Sequence, residues 1–186
     1  MKLGKFDCST GLINILYNDP IKNISVRTSN ILDRSILDKL QKENTNAVGF
    51  LPITYFEKCI WGGQKNAFVF ICTANNDEVG YVYITPGKHL GYAKIQQIAI
   101  RNDARRLHYG SALIDVCKQF CERFERVGFT LRCRLDLESN LFWIKLGFCK
   151  YGLWEKGKYN PQSRLIASND INLYKIELNK NILTLF

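Results

Sequence analysis

The chain has 186 residues, enough for one domain with a sizeable core, and its 46% apolar and 23% charged residues are ordinary for a globular protein. No apolar run is long enough to span a bilayer and the opening MKLGKFDCST lacks an apolar signal core, so a cytoplasmic protein without a membrane partner is expected. A formal charge of +9 gives a positive field that suits phosphorylated cofactors, nucleic acid or acidic proteins, and does not choose among them.

Residues 1–23 carry no long periodic pattern and read as an N-terminal extension, although GLINILY has the composition of a short strand or turn. Ile24–Thr28 alternates as a strand. In SNILDRSILDKLQKEN, Ser29 or Asn30 can cap a helix whose apolar residues Ile31, Leu32, Ile36, Leu37 and Leu40 recur at helical spacing. Pro52–Trp61 places proline in a first helical turn and is stopped by Gly62 and Gly63. Phe68–Ala74 and Glu78–Thr85 flank the turn Asn75, Asn76, Asp77 and read as a hairpin, closed by Pro86 and Gly87. Tyr92–Ile100 is the next strand, followed by a helix from about Leu107 to Arg126 with a wide apolar stripe, ended by Gly128.

Phe129–Leu135 is a strand and Ser139–Leu146 a short helix closed by Gly147. Cys149–Trp154 and Ile171–Leu178 are the last strands, separated by the polar loop Glu155–Asn169. The order β-α-α-β-β-β-α-β-α-β-β predicts an α/β protein with a mixed sheet and helices on both faces. Seven cysteines (Cys8, Cys59, Cys72, Cys117, Cys121, Cys133, Cys149) lack CxxC spacing, and only His89 and His108 could assist them, so no metal site is expected. Most of them fall in apolar runs as small core residues, which suits a reducing compartment.

The chemistry concentrates in Ile95–Leu113, IQQIAIRNDARRLHYGSAL, where a strand gives way to a helix. A helix start leaves unpaired N–H groups and a partial positive charge, and Arg105, Arg106 and Gly110 at that point make a candidate phosphate cradle. A basic helix start with a solvated arginine pair is the plainer alternative.

That element order, together with IAIRNDARRLHYGSAL, resembles the GNAT superfamily of acyl-CoA-dependent N-acetyltransferases. The family's signature is an apolar strand end followed by [Q/R]-x-x-G-x-[G/A]; Arg105 fills its first position and Gly110 its last, with His108 where the middle glycine is expected. SNLFWIKLGF is similar to the family's aromatic-x-x-x-Gly-Phe helix end, with Gly147 and Phe148 in place. The resemblance implies a single GNAT-like domain over 24–178, with splayed central strands and a tail at 179–186. It implies acetyl-CoA as acyl donor, its diphosphate on the backbone amides of Arg105, Arg106, Leu107, His108, Tyr109, Gly110 and Ser111. A side chain at 108 is acceptable there if its φ is negative and its Cβ points away. Strand Gln96–Arg101 would splay from Phe129–Leu135, so that backbone groups at Ile98, Ala99 and Ile100 hold the donor and polarise its carbonyl.

The expected activity is transfer of an acetyl group to an amine by direct attack in a ternary complex. Trp143 stands where many members have an acidic tyrosine, and Asp136 where an asparagine commonly precedes the short helix. Asp136 and Glu138 are therefore candidate bases, with helix capping by Asp136 and Ser139 as the alternative, and Tyr151 and Tyr109 are substitute acids. Cys149 has no activating histidine nearby. Lys145, Lys150, Lys156, Lys158 and Arg164, interleaved with Tyr151, Trp154 and Tyr159, mark the acceptor side. Charge plus stacking surface there suits an acidic acceptor or nucleic acid, with a solvated basic surface as the plainer alternative, and the acceptor is a small-molecule, peptide or nucleic-acid amine. Mom-type phage DNA-modification proteins share the architecture, so DNA-base modification is a second reading and a binding module without turnover a third.

Overall fold

The computed structural model of the chain describes residues 15–19, 23–57, 61, 67–87, 91–160, 165–166 and 169–178. Strand β1 (Ile15–Asp19) pairs antiparallel with β2 (Ile24–Thr28), so the sheet reaches into the stretch read as an extension. Asn30 then caps a short 3-10 turn, Ile31–Asp33: its side chain accepts from the Leu32 N–H while Asp33 accepts from the Asn30 N–H. Helix α1 (Arg34–Val48) continues from that turn, and α2 (Ile53–Phe56) starts behind Pro52. The expected stop at Gly62 and Gly63, like Cys8, Cys59, His89, Arg164 and the 179–186 tail, lies outside the described residues.

Strands β3 (Phe68–Ala74) and β4 (Asp77–Thr85) form the expected hairpin on a two-residue Asn75-Asn76 turn. Both asparagines have positive φ, 51° and 68°, as a type I′ turn demands. After β5 (Tyr92–Ile100), helix α3 runs Tyr109–Arg123, two residues later than its periodicity suggests. It ends on Glu125, left-handed at φ 52°, with the Arg126 N–H returning to the Cys121 carbonyl. Gly128 is thus no helix stop. It opens β6 (Gly128–Arg134), where a Cβ would come within 1.9 Å of the Ile176 carbonyl oxygen. Helix α4 (Ser139–Lys145) closes at Gly147, φ 86°, as its sequence indicates. Strand β7 (Cys149–Trp154), a two-residue pair β8 (Tyr159–Asn160) and β9 (Leu165–Ile166), and β10 (Ile171–Glu177) complete the chain.

The main sheet has eight strands in the order β1-β2-β3-β4-β5-β6-β10-β7, antiparallel except where β5 meets β6. Its two faces carry separate cores. Phe70, Val82, Ile95 and Phe129 pack under α3 and α4 with Leu113, Phe120 and Trp143. Val69, Ile71, Tyr81, Tyr83 and Ala99 pack under α1 and α2 with Leu37, Leu40 and Phe56. Cys72, Cys117, Cys121 and Cys133 are buried free thiols, and burial pushes Cys72 up to about 12, so these sulfurs fill space rather than react. Among the described residues no helix is long and apolar enough to cross a membrane.

Helix α1 is fixed at its start by Asp33, which is 3% exposed and takes a fork of hydrogen bonds from Arg27, 2.7 and 2.8 Å long. Removing one partner of such a buried pair strands the other charge. Asp33→Ala is therefore expected to lower stability by about 3 kcal/mol, read as a lower urea midpoint with an unchanged slope.

Candidate active site

The site is built on an interrupted strand pair. Parallel pairing of β5 with β6 covers only Tyr92↔Gly128, Ala93↔Phe129 and Lys94↔Thr130. Directly after it, β5 carries an extra residue, Gln96, against β4, since Ile84 faces Ile95 while Tyr83 faces Gln97. A bulge bends the strand that holds it and reverses which face later side chains take. Ala93 and Ile95 accordingly face α3, whereas Gln97 and Ala99 face α1. Bent away, Ile95–Ile100 leaves β6 unpaired, and the expected splay is present. Along that edge, alternate N–H and C=O groups of the Ile98–Ile100 stretch have no strand to meet.

At the end of the bent strand the chain turns through Arg101–His108 into α3. Arg101 is tied by its backbone N–H to the Val79 carbonyl and by its side chain to Asp103. Arg105, Arg106, Leu107 and His108 are exposed, Leu107 by 53%. Arg106 and His108 both lie in the left-handed region, φ 67° and 66°. The condition set for a side chain at 108, a negative φ, is not met: the imidazole-bearing residue adopts the conformation a glycine would take more cheaply. An L-residue there costs about 1–2 kcal/mol. The gain is a loop open to solvent, leading into the first-turn N–H groups of Tyr109, Gly110 and Ser111, which have no acceptor within the helix. Gly110 has a different reason from the one its sequence suggested. A Cβ there would lie 3.1–3.2 Å from the Phe142 ring, so the missing side chain lets α4 pack against the head of α3. The two arginines diverge: Arg105 donates to Asn44 on α1 at 2.8 Å, while Arg106 approaches Glu138 at 3.8 Å.

The α1 face of the gap is polar and fully occupied at one end. Gln97, only 7% exposed, donates to the Val48 carbonyl at the end of α1 and accepts from the Tyr81 hydroxyl. Arg134 donates to the Asn46 carbonyl and binds Asp136 through both carboxylate oxygens. Asp136 is held below the usual carboxylate range by that guanidinium, which makes it a weaker proton acceptor. Neither Asp136 nor Ser139 caps α4; Glu138 occupies the cap position without a side-chain hydrogen bond, and Ser139 contacts Cys133. Asn140 instead clasps the turn, donating to the carbonyls of Arg134, Leu135 and Leu137.

The three catalytic candidates do not converge. Asp136 and Glu138 lie on the turn between β6 and α4, whereas Tyr151 is on β7, with β10 in between. Trp143 is 4% exposed, in the core beside Cys133 and Phe148. Trp154 is also buried, at 8%, and is no part of a stacking surface. It lies beneath Arg132, whose guanidinium is 4.8 Å from its ring centre. Arg132 escaped the sequence reading, though the alternation in FTLRCRL puts Arg132 and Arg134 together on the face opposite Leu131 and Cys133.

Two substitutions separate the turn's parts. His108→Gly is expected to raise the melting temperature slightly, by relief worth about 0.5–1 kcal/mol after the entropy of a glycine is counted. Gly110→Val is expected to cost about 1–3 kcal/mol by overpacking, with partial rescue by Phe142→Leu in the same thermal melt.

Residues 65–150 match the family model described as an acetyltransferase (GNAT) domain. Comparison with curated protein sequences returns no match. Among solved structures, the ribosomal L7/L12 α-N-protein acetyltransferase RimL in its apo form superposes with a TM-score of 0.71 at 14% identity, covering 93% of this chain and 99% of that one. The same enzyme in complex with coenzyme A gives 0.69 at 14% identity, over 89% and 98% of the two chains. The ribosomal-protein-S18-alanine N-acetyltransferase from Escherichia coli gives 0.64 at 15% identity, over 86% and 98%. The chain thus carries a match to a GNAT acetyltransferase domain through its centre, and its described length has the fold of GNAT acetyltransferases.

Proposed function

We propose that this protein is an acetyl-CoA-dependent N-acetyltransferase acting on an amine by direct transfer. The observation that carries the reading is the early end of the β5–β6 pairing at Lys94↔Thr130, with the open turn 105–111 at the head of the gap. The diphosphate of the donor would lie on the amides from Arg105 to Ser111, with the charges of Arg105 and Arg106 beside it. Its pantetheine arm would then pair with the free edge of β5, as a third strand does. A backbone N–H at Ile98, Ala99 or Ile100 would meet the thioester oxygen, placing a fixed dipole where negative charge develops. The amine nitrogen attacks the thioester carbon, the C–S bond breaks, coenzyme A leaves as thiolate, and the nitrogen loses a proton. The names of two neighbours, an L7/L12 α-N-protein acetyltransferase and a ribosomal-protein-S18-alanine N-acetyltransferase, favour an amine acceptor.

Proton removal follows from the charges along the gap. Arg134 engages Asp136, and Glu138 stands by Arg106 at the end proposed for the diphosphate. On the α1 face, β6 contributes Thr130, Arg132 and Arg134 and no carboxylate. The acceptor therefore enters as the free amine, deprotonated by solvent, and Tyr151 is the hydroxyl on the acceptor flank.

Titration calorimetry with acetyl-CoA, followed by thermal melts, tests the donor site. Saturation at about 100 Kd is expected to add about 2.7 kcal/mol of stability, and no heat and no shift would remove the assignment. With a peptide amine of pKa about 8, kcat/KM is expected to rise about tenfold per pH unit up to that pH and then level. A limb titrating near pH 4–5 would return the base role to Glu138 or Asp136.

A further inference from the structure

We propose that Arg132 receives a carboxylate carried by the acceptor, so that the amines this protein acetylates bear an acidic group close to the reacting nitrogen. The inference rests on the acyl-transfer reading above and specifies its acceptor.

Among the described residues Arg132, unlike its neighbours, has no counter-ion. Arg27 is paired with Asp33, Arg101 with Asp103 and Arg134 with Asp136, and in each the carboxylate raises the guanidinium's affinity for its proton. Arg132 is half-buried, its only close partner is the Trp154 ring, and among the described residues it has no ion pair. Burial accordingly moves its pKa down, opposite to the other three. A desolvated cation without an anion is a standing cost that an incoming carboxylate would remove. A guanidinium held over an indole keeps N–H groups that can bind a carboxylate through both oxygens.

Its position is on the acceptor's route. Arg132 lies on the β6 strand that borders the gap, two residues before Arg134 and on the same α1-facing side. Helices α1 and α2 cover that face of the sheet over β3, β4 and β5, with Leu37, Leu40 and Phe56 above Val69, Tyr81 and Ala99. Beyond β5 no helix among the described residues adds to that layer. Register places Leu173 beside Arg132 and Gly152 beside Leu173, whose side chain lies over the glycine. Tyr151, 53% exposed, is within electrostatic reach of the guanidinium and can donate a further hydrogen bond to the same anion. The guanidinium thus stands at the flank of the gap with no carboxylate paired to it among the described residues.

The test compares matched acceptors. One pair is the amidated tetrapeptides Ser-Asp-Ala-Ala and Ser-Asn-Ala-Ala, in which the carboxylate is a side chain. The other is glycine and glycinamide, in which it is the small molecule's own. Each is assayed for acetylation and, with coenzyme A present, for binding by calorimetry, using wild type, Arg132→Met and Arg132→Lys. The carboxylate form of one pair is expected to win by about 30-fold in wild type, and which pair responds tells a peptide from an amino-acid acceptor. The preference is expected to vanish in Arg132→Met and to shrink in Arg132→Lys, with acetyl-CoA affinity unchanged in both. Because Met buries no charge, Arg132→Met is also expected to melt no lower than wild type, whereas a purely structural stacking role requires a lower melt.

Equal use of acid and amide, or a preference untouched by Arg132→Met, overturns the proposal while leaving the transferase reading intact. So does steeply salt-dependent oligonucleotide binding without a carboxylate preference. If acetyl-CoA fails to bind but the acidic probe still binds through Arg132, the donor assignment falls and the carboxylate site stands.

Discussion

The structure depends on a pairing that stops. Three residue pairs join β5 to β6 in parallel before Gln96, the extra residue in β5, bends the strand away. Continuous pairing would have filled the sheet with hydrogen bonds and left no edge in its interior. The bulge instead opens a slot in the middle of an eight-stranded sheet, where packed helices on both faces keep the exposed backbone from collapsing. Those backbone groups can be satisfied by an extended ligand, as the proposed donor site requires.

Two devices hold the slot's rims apart. At one rim, the end of α1 is fastened to both strands at once: the Val48 carbonyl takes a hydrogen bond from Gln97 on β5, and the Asn46 carbonyl takes one from Arg134 on β6. The last carbonyls of a helix are electron-rich and otherwise unpaired, so a guanidinium and an amide there are favourable partners. At the other rim, Gly110 against Phe142 lets α4 approach the head of α3 without blocking the N–H groups of the first turn. The same side chains that stabilise the fold thereby set the width of the groove.

Much of this was legible from the chain. The β-branched and aromatic run Phe68–Ala74, the hairpin turn at Asn75, Asn76, Asp77, the helical stripe of α3 and the Gly147 stop all depend on neighbours in sequence, and the structure has the hairpin, the helix and the stop, with the turn itself on Asn75 and Asn76. What was not legible was decided at a distance. Gly128 reads as a helix stop, but it is required because β10 passes with the Ile176 carbonyl against it. At His108, where a side chain would be acceptable with a negative φ, nothing local reveals that the turn holds it at 66°. Insertion of β10 between β6 and β7 also separates Tyr151 from Asp136 and Glu138, although all three lie within sixteen residues of one another.

The electrostatic pattern is the least local feature of all. A sequence with a formal charge of +9 says only that anions are welcome. Folding sorts the cations: Arg27, Arg101 and Arg134 are each given a carboxylate, Arg105 an asparagine, and Arg132 only an indole. The central claim is that a donor threads the slot along the free edge of β5 and ends on the turn before α3. Amide hydrogen exchange with and without acetyl-CoA measures this most directly. New protection at Ile98–Ile100 and at Arg105–Ser111, together, is the expected result; binding that protects neither stretch, or only a surface elsewhere, would contradict it.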